Sequence, residues 1–599
     1  MPPGPPGTPQ ATLQQAVSLH QQGLWPQAQR LYEDILRQHP GHFDALHLLG
    51  VIALQGGNPQ RAAELIGQAI AIHPGSAAFH SNLGNAQREL GQLDAALASF
   101  DQAIAQKPDF AEAHSNRGNV LLALGQPDAA RTSYEKALSL RPDYAEAWSN
   151  RGNALQALGQ LQAALASHDR AIALRPGYAD AHYNRGTVLK DLKRPAEAVA
   201  SYDQALRLRP GYAEAHYNRG NALKELDQLD AALASYERAL QARPGHAEAH
   251  ANRGATLLQL GQVTEAIASY DQALRLQPDL ADAHWNRSLA LLLAGDFAMG
   301  WPGYEWRWKL PNIRLKPQRI TRPPWQGGEP LQGRTLLLHS EQGLGDAIQF
   351  CRYARLAADQ GARVILEVPQ ALAALMQRLG GVAEVVTEDQ PLPGFDLHCP
   401  LLSLPLAFRT GLETIPGRGG YLASAPGRRA AWAARLGPRT RPRIGVVWSG
   451  STGHLHDRQR SLRLAELLPH LPAGLDCISL QKEVRETDQA ALQASGIRHV
   501  GPELRDFADT AALCDLVDLV ISVDTSVAHL AGALGRPTVV LLPRIPDWRW
   551  MLGRDDSPWY ASVRLYRQGP DRHWGPVLER LGRDLRSLVQ EGHARPALP

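Results

Sequence analysis

Two short stretches of the sequence place polar side chains where an apolar strand gives way to a helix. In the first, "GLGDAIQF", Gly345 and Asp346 follow the strand "TLLLH". The second, "DTSVAHLAGALGRPTVVLLP", starts at Asp524 directly after the strand "LVISV". The carboxyl ends of parallel strands and the first turns of the following helices bind ligands, because unpaired backbone N–H groups there point at anions. Both stretches are therefore candidates for an anion-binding site.

Each candidate also has a simpler structural explanation. Asp346, on a first helical turn, could be only a cap or a partner of the helix dipole. His529 could be a packed histidine bonded to a backbone carbonyl. The turn at Gly343 lacks the pattern G-x-G-x-x-G, since Ile348 stands at the third glycine position, and no Walker-type lysine follows. Dinucleotide binding and nucleoside-triphosphate hydrolysis are therefore disfavoured.

The composition limits the kinds of partner. The 599 residues predict several domains, and 62 Lys and Arg against 59 Asp and Glu leave a formal charge of +3, which does not favour nucleic acid as a partner. The four cysteines lack C-x-x-C spacing, which is typical of a reduced protein without structural zinc. Neither a leader peptide nor a run of roughly 18 apolar residues is found, so we expect a cytoplasmic chain without a membrane span and with a disordered tip at 1–8.

The first half of the chain repeats one motif. A proline recurs at intervals of 34 residues, at Pro40, Pro74, Pro108, Pro142, Pro176, Pro210, Pro244 and Pro278. Within each period, small residues fall where two helices would touch. The pattern resembles the tetratricopeptide repeat, which implies a solenoid of paired helices. We expect about eight full repeats over 9–314, with a degenerate ninth unit from Ala281 to Leu310 as the cap where the solenoid docks.

One asparagine per repeat forms a second periodic feature. The set is Asn82, Asn116, Asn150, Asn184, Asn218, Asn252 and Asn286. A carboxamide offers a donor and an acceptor, so a column of them could bind the backbone of an extended peptide without reading its sequence. The repeats resemble those of the eukaryotic O-GlcNAc transferase, where such a ladder holds the protein substrate. The alternative is that each asparagine bonds only to the backbone of the neighbouring repeat.

An arginine follows each asparagine from the second onward. The row comprises Arg117, Arg151, Arg185, Arg219, Arg253 and Arg287. It could line the peptide groove with positive charge, or its stems could simply cover apolar surface.

The second half alternates strands with amphipathic helices. A segment rich in proline and glycine, 315–333, predicts a linker. Two strand-helix regions follow, 334–438 as an acceptor and base domain and 439–599 as a nucleotide-sugar domain, around a break from Ser424 to Pro442. The expected fold class is multidomain: an all-α tetratricopeptide solenoid followed by an α/β GT-B part of two Rossmann-like domains, with the ligand in the cleft between them.

The two stretches described first resemble the hallmark motifs of glycosyltransferase family nine, the heptosyltransferase-like enzymes. "GLGDAIQF" matches its G-D pair before a helix. The second stretch matches D-[ST]-x-x-x-H-x-x-A-A-L-x-x-P at Asp524, Thr525, His529 and Pro537, with Gly532 replacing an alanine. The resemblance covers roughly residue 334 to the C-terminus.

The resemblance implies a role for each candidate. Asp346 corresponds to the family's proposed catalytic base. The family's basic residue that contacts donor phosphate lies in the loop here reading "SGSTGHLHDRQRS", where Arg460 is the first candidate and Arg458 the second. We expect Asp524 to bind hydroxyls. The donor-binding set is Gly345, Gly450, Arg458, Arg460, Asp524, Thr525, Ser526 and His529, with Thr525, Ser526 and His529 near phosphate.

No metal or other cofactor is expected. The chain has no D-x-D sequence, the usual metal clamp for a nucleotide-sugar, so guanidinium and helix N-terminal N–H groups would stabilise the leaving diphosphate. His454, His456 and Asp457 could be read as metal ligands, although anion or acceptor contact is favoured. Trp548, Trp550 and Trp559 could stack on a nucleobase or pack between domains.

The sequence therefore predicts a metal-independent, inverting glycosyltransferase acting on a protein or peptide held by the repeats. The alternative is a non-catalytic scaffold with a degenerate transferase domain. The family implies ADP-heptose as donor, whereas the repeats suggest UDP-N-acetylglucosamine by analogy.

Overall fold

The computed structural model describes residues 9–310, 320, 323–451 and 457–591, and the chain divides into two compact units, 1–244 and 245–599. The described part of the first unit consists of helix pairs. The helices are Pro9–Gln21 (α1), Trp25–Gln38 (α2), Phe43–Gln55 (α3), Pro59–Ile72 (α4), Ala77–Glu89 (α5), Leu93–Gln106 (α6), Ala111–Ala123 (α7), Pro127–Leu140 (α8), Ala145–Ala157 (α9), Leu161–Leu174 (α10), Ala179–Asp191 (α11), Pro195–Leu208 (α12), Ala213–Glu225 (α13) and Leu229–Ala242 (α14).

In most pairs the helices approach closely because the first carries a glycine opposite a ring on the second. A Cβ on Gly118 would lie 2.6 Å from the ring of Tyr134, and Ala130 on the same second helix is fully buried. Contact this close excludes any side chain at Gly118 unless the ring moves. Helix α8 ends at Leu140, two residues before Pro142, which lacks the N–H needed to continue the helix.

The second unit begins with further repeat helices. They are Ala247–Gln259 (α15), Val263–Leu276 (α16), Ala281–Ala294 (α17) and Phe297–Tyr304 (α18), followed by a 3₁₀ turn, Glu305–Lys309. Helix α18 belongs to the degenerate ninth unit. Its Trp301 is buried, donates a hydrogen bond from Nε1 to the carbonyl oxygen of Thr410 at 2.8 Å and packs edge-on against Trp548. The ninth unit thus contacts both α/β domains.

The first α/β domain has a parallel sheet in the order β3-β2-β1-β4. Its strands are Thr335–His339 (β1), Arg363–Val368 (β2), Val382–Thr387 (β3) and Leu397–Pro400 (β4). Its helices are Leu344–Phe350 (α19), Tyr353–Asp359 (α20), Gln370–Met376 (α21) and Leu404–Ala407 (α22).

The second α/β domain has a parallel sheet in the order β10-β9-β8-β5-β6-β7. Its strands are Arg443–Val447 (β5), Asp476–Ser479 (β6), Arg498–His499 (β7), Leu519–Val523 (β8), Thr538–Leu542 (β9) and Val563–Arg567 (β10). The helices are Pro426–Leu436 (α23), Asp457–Arg460 (α24), Leu464–Leu467 (α25), Glu486–Ala494 (α26), Phe507–Leu516 (α27), Ser526–Ala533 (α28) and Gly575–Glu591 (α29). The expected fold class, an α-helical solenoid followed by α/β domains, is confirmed.

Strand order identifies a ligand-binding edge in each sheet. In the second sheet, β5 and β8 are neighbours, and the chain leaves them toward opposite sides of the sheet. Such a switch point opens a crevice at the carboxyl ends of the two strands. Gly450 follows β5 closely, and Asp524 follows β8 directly. In the first sheet, the chain passes from β1 to β2 and β3 on one side and then crosses to β4 on the other side of β1, so the corresponding switch point lies between β1 and β4.

Two segments differ from the sequence-based expectation of linkers. In the described part of 315–333, Trp325 and Leu331 are buried, and the backbone N–H of Trp325 donates to the carbonyl oxygen of His398 at 2.7 Å. The break from Ser424 to Pro442 contains helix α23, whose Trp432 is buried and donates to Asp509 on α27 at 3.0 Å. A few apolar side chains anchor each segment although its composition resembles a loop.

Candidate functional site

The two motifs meet where helix α19 packs against helix α28. A Cβ on Gly345 would lie 3.1 Å from Cδ2 of His529 and 3.5 Å from Cα of Ser526, so a larger residue at Gly345 would press on the His529 ring unless the ring shifted by a few tenths of an ångström. The structure therefore brings Gly345 and Asp346 of the first domain together with the Asp524–His529 turn of the second.

The carboxylate of Asp346 is fixed at both oxygens. Oδ2 accepts a hydrogen bond from the backbone N–H of Gly343 at 2.9 Å, which is the cap that the sequence allowed. Oδ1 accepts from Nη2 of Arg549 at 2.6 Å, and Arg549 comes from the second domain. Burial raises the pKa of Asp346, and the Arg549 guanidinium opposes that rise. About a fifth of the Asp346 side chain, 22%, is still exposed, so an acceptor could reach it.

Arg549 is the residue that links the two domains at this point, and the sequence analysis did not single it out. Its side chain is only 8% exposed. Nε donates to Gln349 Oε1 at 2.6 Å and Nη1 to Asp547 Oδ1 at 2.9 Å, while the guanidinium lies 4.4 Å from the ring centre of Trp548. The only sequence signal was a basic residue among the tryptophans of "DWRWM".

Asp524 and Arg460 occupy the switch point of the second sheet. Nη1 of Arg460 donates to the backbone oxygen of Asp524 at 2.8 Å. A Cβ on Gly450 would lie 2.6 Å from Nη2 of Arg460, so the glycine makes room for this guanidinium. Burial and the nearby charge of Asp547 raise the pKa of Asp524 to about 6, against the opposing effect of Arg460.

The His529 ring is packed on all sides. It stacks on Trp550 with centroids 5.2 Å apart, and Nδ1 lies 3.0 Å from the hydroxyl of Tyr560. Nε2 lies 3.8 Å from Oδ1 of Asp524. Burial, aided by Arg549, lowers the pKa of His529 to about 3, so the ring is neutral at pH 7. A neutral ring can offer phosphate at most a hydrogen bond, and phosphate contact at His529 stays a prediction.

The remaining donor-motif residues open helix α28. Thr525 is its N-cap, and its hydroxyl lies 2.9 Å from that of Ser522. Ser526 is the first helical residue and is half-buried. The unpaired N–H groups of this first turn are the ones expected to face an anion.

The loop after β5 is described only in part. His454 and His456 lie outside the described residues, as does the side chain of Arg458. Asp457 is buried and ion-paired with Arg485, which also donates to the carbonyl oxygen of Gly450 at 3.1 Å. The sequence analysis missed Arg485, which lies well beyond this loop in the chain. Among the described residues, no group of three or more His, Cys, Asp or Glu side chains stands close enough to hold a metal ion.

The three tryptophans after β9 pack inside the second unit. Trp548 contacts Trp301 and Tyr304 of helix α18, with ring centres 5.3 and 5.9 Å apart. Trp559 stacks near Phe297 at 5.9 Å. All three, including Trp550 on His529, are buried, which matches the packing alternative rather than stacking on a nucleobase.

A second buried ion pair lies at the switch point of the first sheet. Arg307 of the ninth unit is fully buried and donates to Glu341 Oε1 at 3.0 Å and to Ser403 Oγ at 2.7 Å. Burial raises the pKa of Glu341 to about 7, against the opposing effect of Arg307. The sequence analysis missed this pair, because the two residues come from different domains.

The ladder asparagines are all half-buried. Three of them bond to a side chain of the preceding repeat: Asn82 Nδ2 lies 2.8 Å from His47 Nε2, Asn150 donates to Asn119 Oδ1 at 2.9 Å, and Asn218 donates to the Tyr183 hydroxyl at 2.9 Å. At these three positions the asparagine therefore bonds to a side chain, and not to the backbone, of the neighbouring repeat. Asn119 belongs to a second column that the sequence analysis missed, consisting of Asn85, Asn119, Asn153 and Asn221.

The companion arginines are tied to neighbouring helices. Arg117 donates to Asp101 of the preceding repeat at 2.6 Å and to Ser133 of its own repeat at 2.8 Å. The same tie recurs at Arg151, Arg185 and Arg219. Because these four guanidinium groups each have an acidic partner, this part of the row carries little net charge. It joins repeats instead of only covering apolar surface.

Comparison with family models confirms both resemblances. Tetratricopeptide repeat models match residues 13–77, 84–125, 118–159, 143–211, 183–247, 217–281 and 252–298, so the chain carries these repeats. The model for glycosyltransferase family 9 (heptosyltransferase) matches residues 478–550. That match includes the Asp524–His529 turn and Arg549, whereas Asp346, Gly450 and Arg460 lie outside it.

Among curated proteins, protein FlbA of Caulobacter vibrioides is 30% identical over 319 residues. The match spans 48% of this chain and 52% of FlbA, about half of each. The solved structures that are similar include YrrB, described as a tetratricopeptide protein with an unusual peptide-binding site, at 29% identity over 31% of this chain and 95% of YrrB with a TM-score of 0.28. Another is the APC/C hetero-tetramer Cut9–Hcn1, at 19% identity over 47% of this chain and 55% of that one, with a TM-score of 0.37.

None of the helices in the described ranges combines the length and apolar character needed to cross a membrane.

Proposed function

We propose that this protein is a glycosyltransferase that moves a sugar from a nucleotide-sugar donor onto a protein or peptide acceptor held by its repeats. One observation carries the proposal: helix α19, which carries Asp346, packs at Gly345 against Ser526 and His529 of the turn that the family 9 model matches. A base on one domain and an anion-binding turn on the other are the two halves that a glycosyl transfer requires.

The donor occupies the switch point of the second sheet. Its diphosphate lies near the first turn of helix α28, where backbone N–H groups are unpaired. Arg460 stands beside this turn, fixed by its bond to the Asp524 backbone. Asp524 accepts hydrogen bonds from hydroxyl groups of the sugar or ribose. Its buried carboxylate gains partners when those hydroxyls arrive.

The reaction is an inverting displacement. The acceptor hydroxyl forms a bond to the anomeric carbon of the sugar while the bond from that carbon to the diphosphate oxygen breaks. Asp346 takes the proton of the hydroxyl. Burial of Asp346 raises its pKa, and this favours proton transfer, since a carboxylate in water is a weak base. Guanidinium groups stabilise the departing diphosphate, and no metal ion is required.

The repeats supply the acceptor. Tetratricopeptide solenoids bind polypeptides along their length, and the half-buried asparagine column offers donors and acceptors to an extended backbone. A protein or peptide therefore suits this architecture better than a lipid-linked sugar. The match to family 9 favours ADP-heptose as the donor, and the likeness of the repeats to those of O-GlcNAc transferase favours UDP-N-acetylglucosamine.

The test is a panel of ADP-, UDP-, GDP- and dTDP-linked sugars, scored by thermal stabilisation and by slow donor hydrolysis. A donor at 100 times its dissociation constant adds about 2.7 kcal/mol to the free energy of unfolding. Asp346→Asn is expected to retain donor binding and to lower turnover about 100-fold or more, because the base is lost.

The control is Asp359→Asn, which removes an exposed carboxylate paired with Arg355 on helix α20 and should leave turnover unchanged. Hydrolysis that survives in Asp346→Asn would remove this residue from the mechanism. A folded wild-type protein that binds none of the donors would instead support the scaffold alternative.

A further inference from the structure

Arg549 occupies a position that the proposed mechanism leaves without a role. Its guanidinium is buried between the base and the donor turn, and its charge affects the pKa values of Asp346, Asp524 and His529 together. A buried guanidinium in direct contact with a general base has to be reconciled with catalysis, because a base in an ion pair accepts a proton less readily.

The hydrogen bonds of Arg549 leave it capacity for another acceptor. Within the part of the chain that the structure describes, Gln349, Asp547 and Asp346 take one bond each from Nε, Nη1 and Nη2. A guanidinium has five N–H donors in a planar fork. Asp547 and Gln349, with the ring of Trp548 beneath, hold the side chain in place even if the bond to Asp346 is given up.

The local charge balance sets a condition on the binding of an anionic ligand. Asp346, Asp524 and Asp547 all lie near Arg549, and Arg460 is the second cation beside Asp524. A diphosphate that enters at the first turn of helix α28 therefore meets carboxylates as well as cations. Its binding would be weak unless a guanidinium turned from a carboxylate toward the phosphate, since like charges repel at short range.

We propose that Arg549 is the diphosphate-binding cation of the donor site and that it holds Asp346 only while the donor is absent. When the donor binds, Nη2 of Arg549 shifts from the Asp346 carboxylate to a diphosphate oxygen. This one exchange stabilises the leaving group and frees the base for the acceptor hydroxyl. Donor binding then precedes activation of the base, which limits proton abstraction before a sugar is present. The inference rests on the proposed function.

The proposal predicts opposite effects at the two ends of the ion pair. The probes are ADP, UDP, GDP, dTDP and inorganic pyrophosphate, titrated against the full-length protein by calorimetry. Arg549→Gln is expected to weaken binding of the preferred probe about ten- to a hundredfold, the effect of losing a charged hydrogen bond. Asp346→Asn is expected to tighten binding several-fold, because the competing carboxylate charge is gone.

A purely structural ion pair gives a different result, in which both substitutions weaken binding or neither changes it. Arg549→Lys keeps the charge without the fork, and a loss of affinity smaller than in Arg549→Gln is expected; it also provides a test if Arg549→Gln fails to fold. Arg355→Gln is the matched control, since it breaks an exposed arginine–aspartate pair on helix α20.

The outcomes separate the two proposals. Equal affinity in wild type and in both Arg549 variants, or weaker binding in Asp346→Asn, overturns the role of Arg549 and leaves the transferase proposal standing. A wild-type protein that is folded and binds none of the five probes overturns both.

Discussion

Burial shifts the pKa values of Asp524 and His529, the two ionisable side chains of the turn from Asp524 to His529, in opposite directions. It raises the pKa of Asp524 to about 6 and lowers the pKa of His529 to about 3. Both shifts favour the neutral form, which is the usual effect of removing a charge from water. At pH 7 the His529 ring is therefore neutral, whereas the Asp524 carboxyl is still mostly ionised and carries its charge at an energetic cost.

That cost can be measured through Asp524→Asn. A carboxyl whose pKa is higher in the folded chain than the usual 3.8 stabilises the fold at low pH, and this contribution is lost as pH rises through 6. Asparagine cannot ionise. We therefore expect the free energy of unfolding of the variant, measured relative to wild type, to increase by about 2 kcal/mol as the pH is raised from about 4 to about 8. The variant should also bind the donor more weakly.

Thermal unfolding followed by tryptophan fluorescence measures this prediction. All of the 13 tryptophans except Trp25 and Trp148 lie beyond residue 245, so the signal reports mainly on the second unit. The same difference between variant and wild type at both pH values would show that the Asp524 carboxyl is not strained by burial.

The motif residues could be found from the sequence, whereas the contacts between them could not. Gly345, Asp346, Asp524 and His529 stand at strand-to-helix junctions that a single sequence reveals. Arg549 became important only through a contact with Asp346, 203 residues away in the chain. No local spacing signals such a pair, and the tryptophans around Arg549 indicated packing.

At the scale of the helix, His168 departs from the phenylalanine or tyrosine that most repeats place opposite the helix-pair glycine; Ile66 opposite Gly50 is the other departure. The ring opposite the helix-pair glycine is phenylalanine or tyrosine at Phe100, Tyr134, Tyr202, Tyr236 and Tyr270, but it is histidine at His168. Both ring nitrogens of His168 are buried without a hydrogen-bond partner. In the corresponding place Tyr134 donates to Asn119 at 2.8 Å, and Asn153 is the equivalent of Asn119 in the His168 repeat.

His168→Tyr should therefore stabilise the first unit, by about 1–3 kcal/mol, since it replaces an unsatisfied polar ring with one that can reach Asn153. Burial lowers the pKa of His168 to about 4 from its usual 6.5, so the histidine's contribution is lost as pH falls below 6.5. The increase in the free energy of unfolding that His168→Tyr brings should therefore be larger at about pH 5 than at about pH 8.

Urea unfolding followed by the helical circular dichroism signal tests the substitution. The reverse change two repeats further on, Tyr236→His, removes a hydrogen bond to Asn221 at 2.7 Å. This variant should be less stable than wild type. If both variants unfold at the wild-type urea concentration, the ring at this position is not a determinant of repeat stability.

Elements with a strong period were predictable, and those anchored by a few side chains were not. The 34-residue interval fixes helix pairs, their glycine contacts and the terminating prolines because all three depend on near neighbours. Helix α23 lies in a segment whose prolines and arginines are typical of a loop, and it is held by Trp432 and Arg428 against α27. Those partners are about 80 residues away in the chain. A pattern of neighbouring residues therefore cannot predict these contacts.

At the scale of the whole molecule, the ninth repeat unit is part of the hydrophobic core of the two α/β domains. Phe297, Trp301 and Tyr304 share one hydrophobic cluster with both α/β sheets, and Arg307 forms an ion pair with the buried Glu341. A fragment that starts at Gly245 retains these contacts, and a fragment that starts at residue 311 loses them. The compact second unit also begins at Gly245.

We therefore expect fragment 245–599 to fold and fragment 311–599 to be insoluble or unfolded. Leaving a buried acid without its ion partner alone costs about 3–5 kcal/mol, and the exposed aromatic surface adds to that. Expression of both fragments, with their unfolding midpoints, measures the difference. If fragment 311–599 unfolds cooperatively at the same temperature as 245–599, the ninth unit does not contribute to the stability of the α/β domains.

The tie between acid, arginine and serine in the repeats has a consequence for how such a chain can evolve. Arg117, Arg151, Arg185 and Arg219 each bond to an acid one helix earlier and to a serine one helix later, so the partners are the same in kind over these four repeats. Loss or duplication of 34 residues by unequal recombination joins an acid from one repeat to an arginine from another and restores the same bond. The number of repeats can therefore change between generations without a compensating mutation, and the length of the array becomes a trait on which selection can act directly.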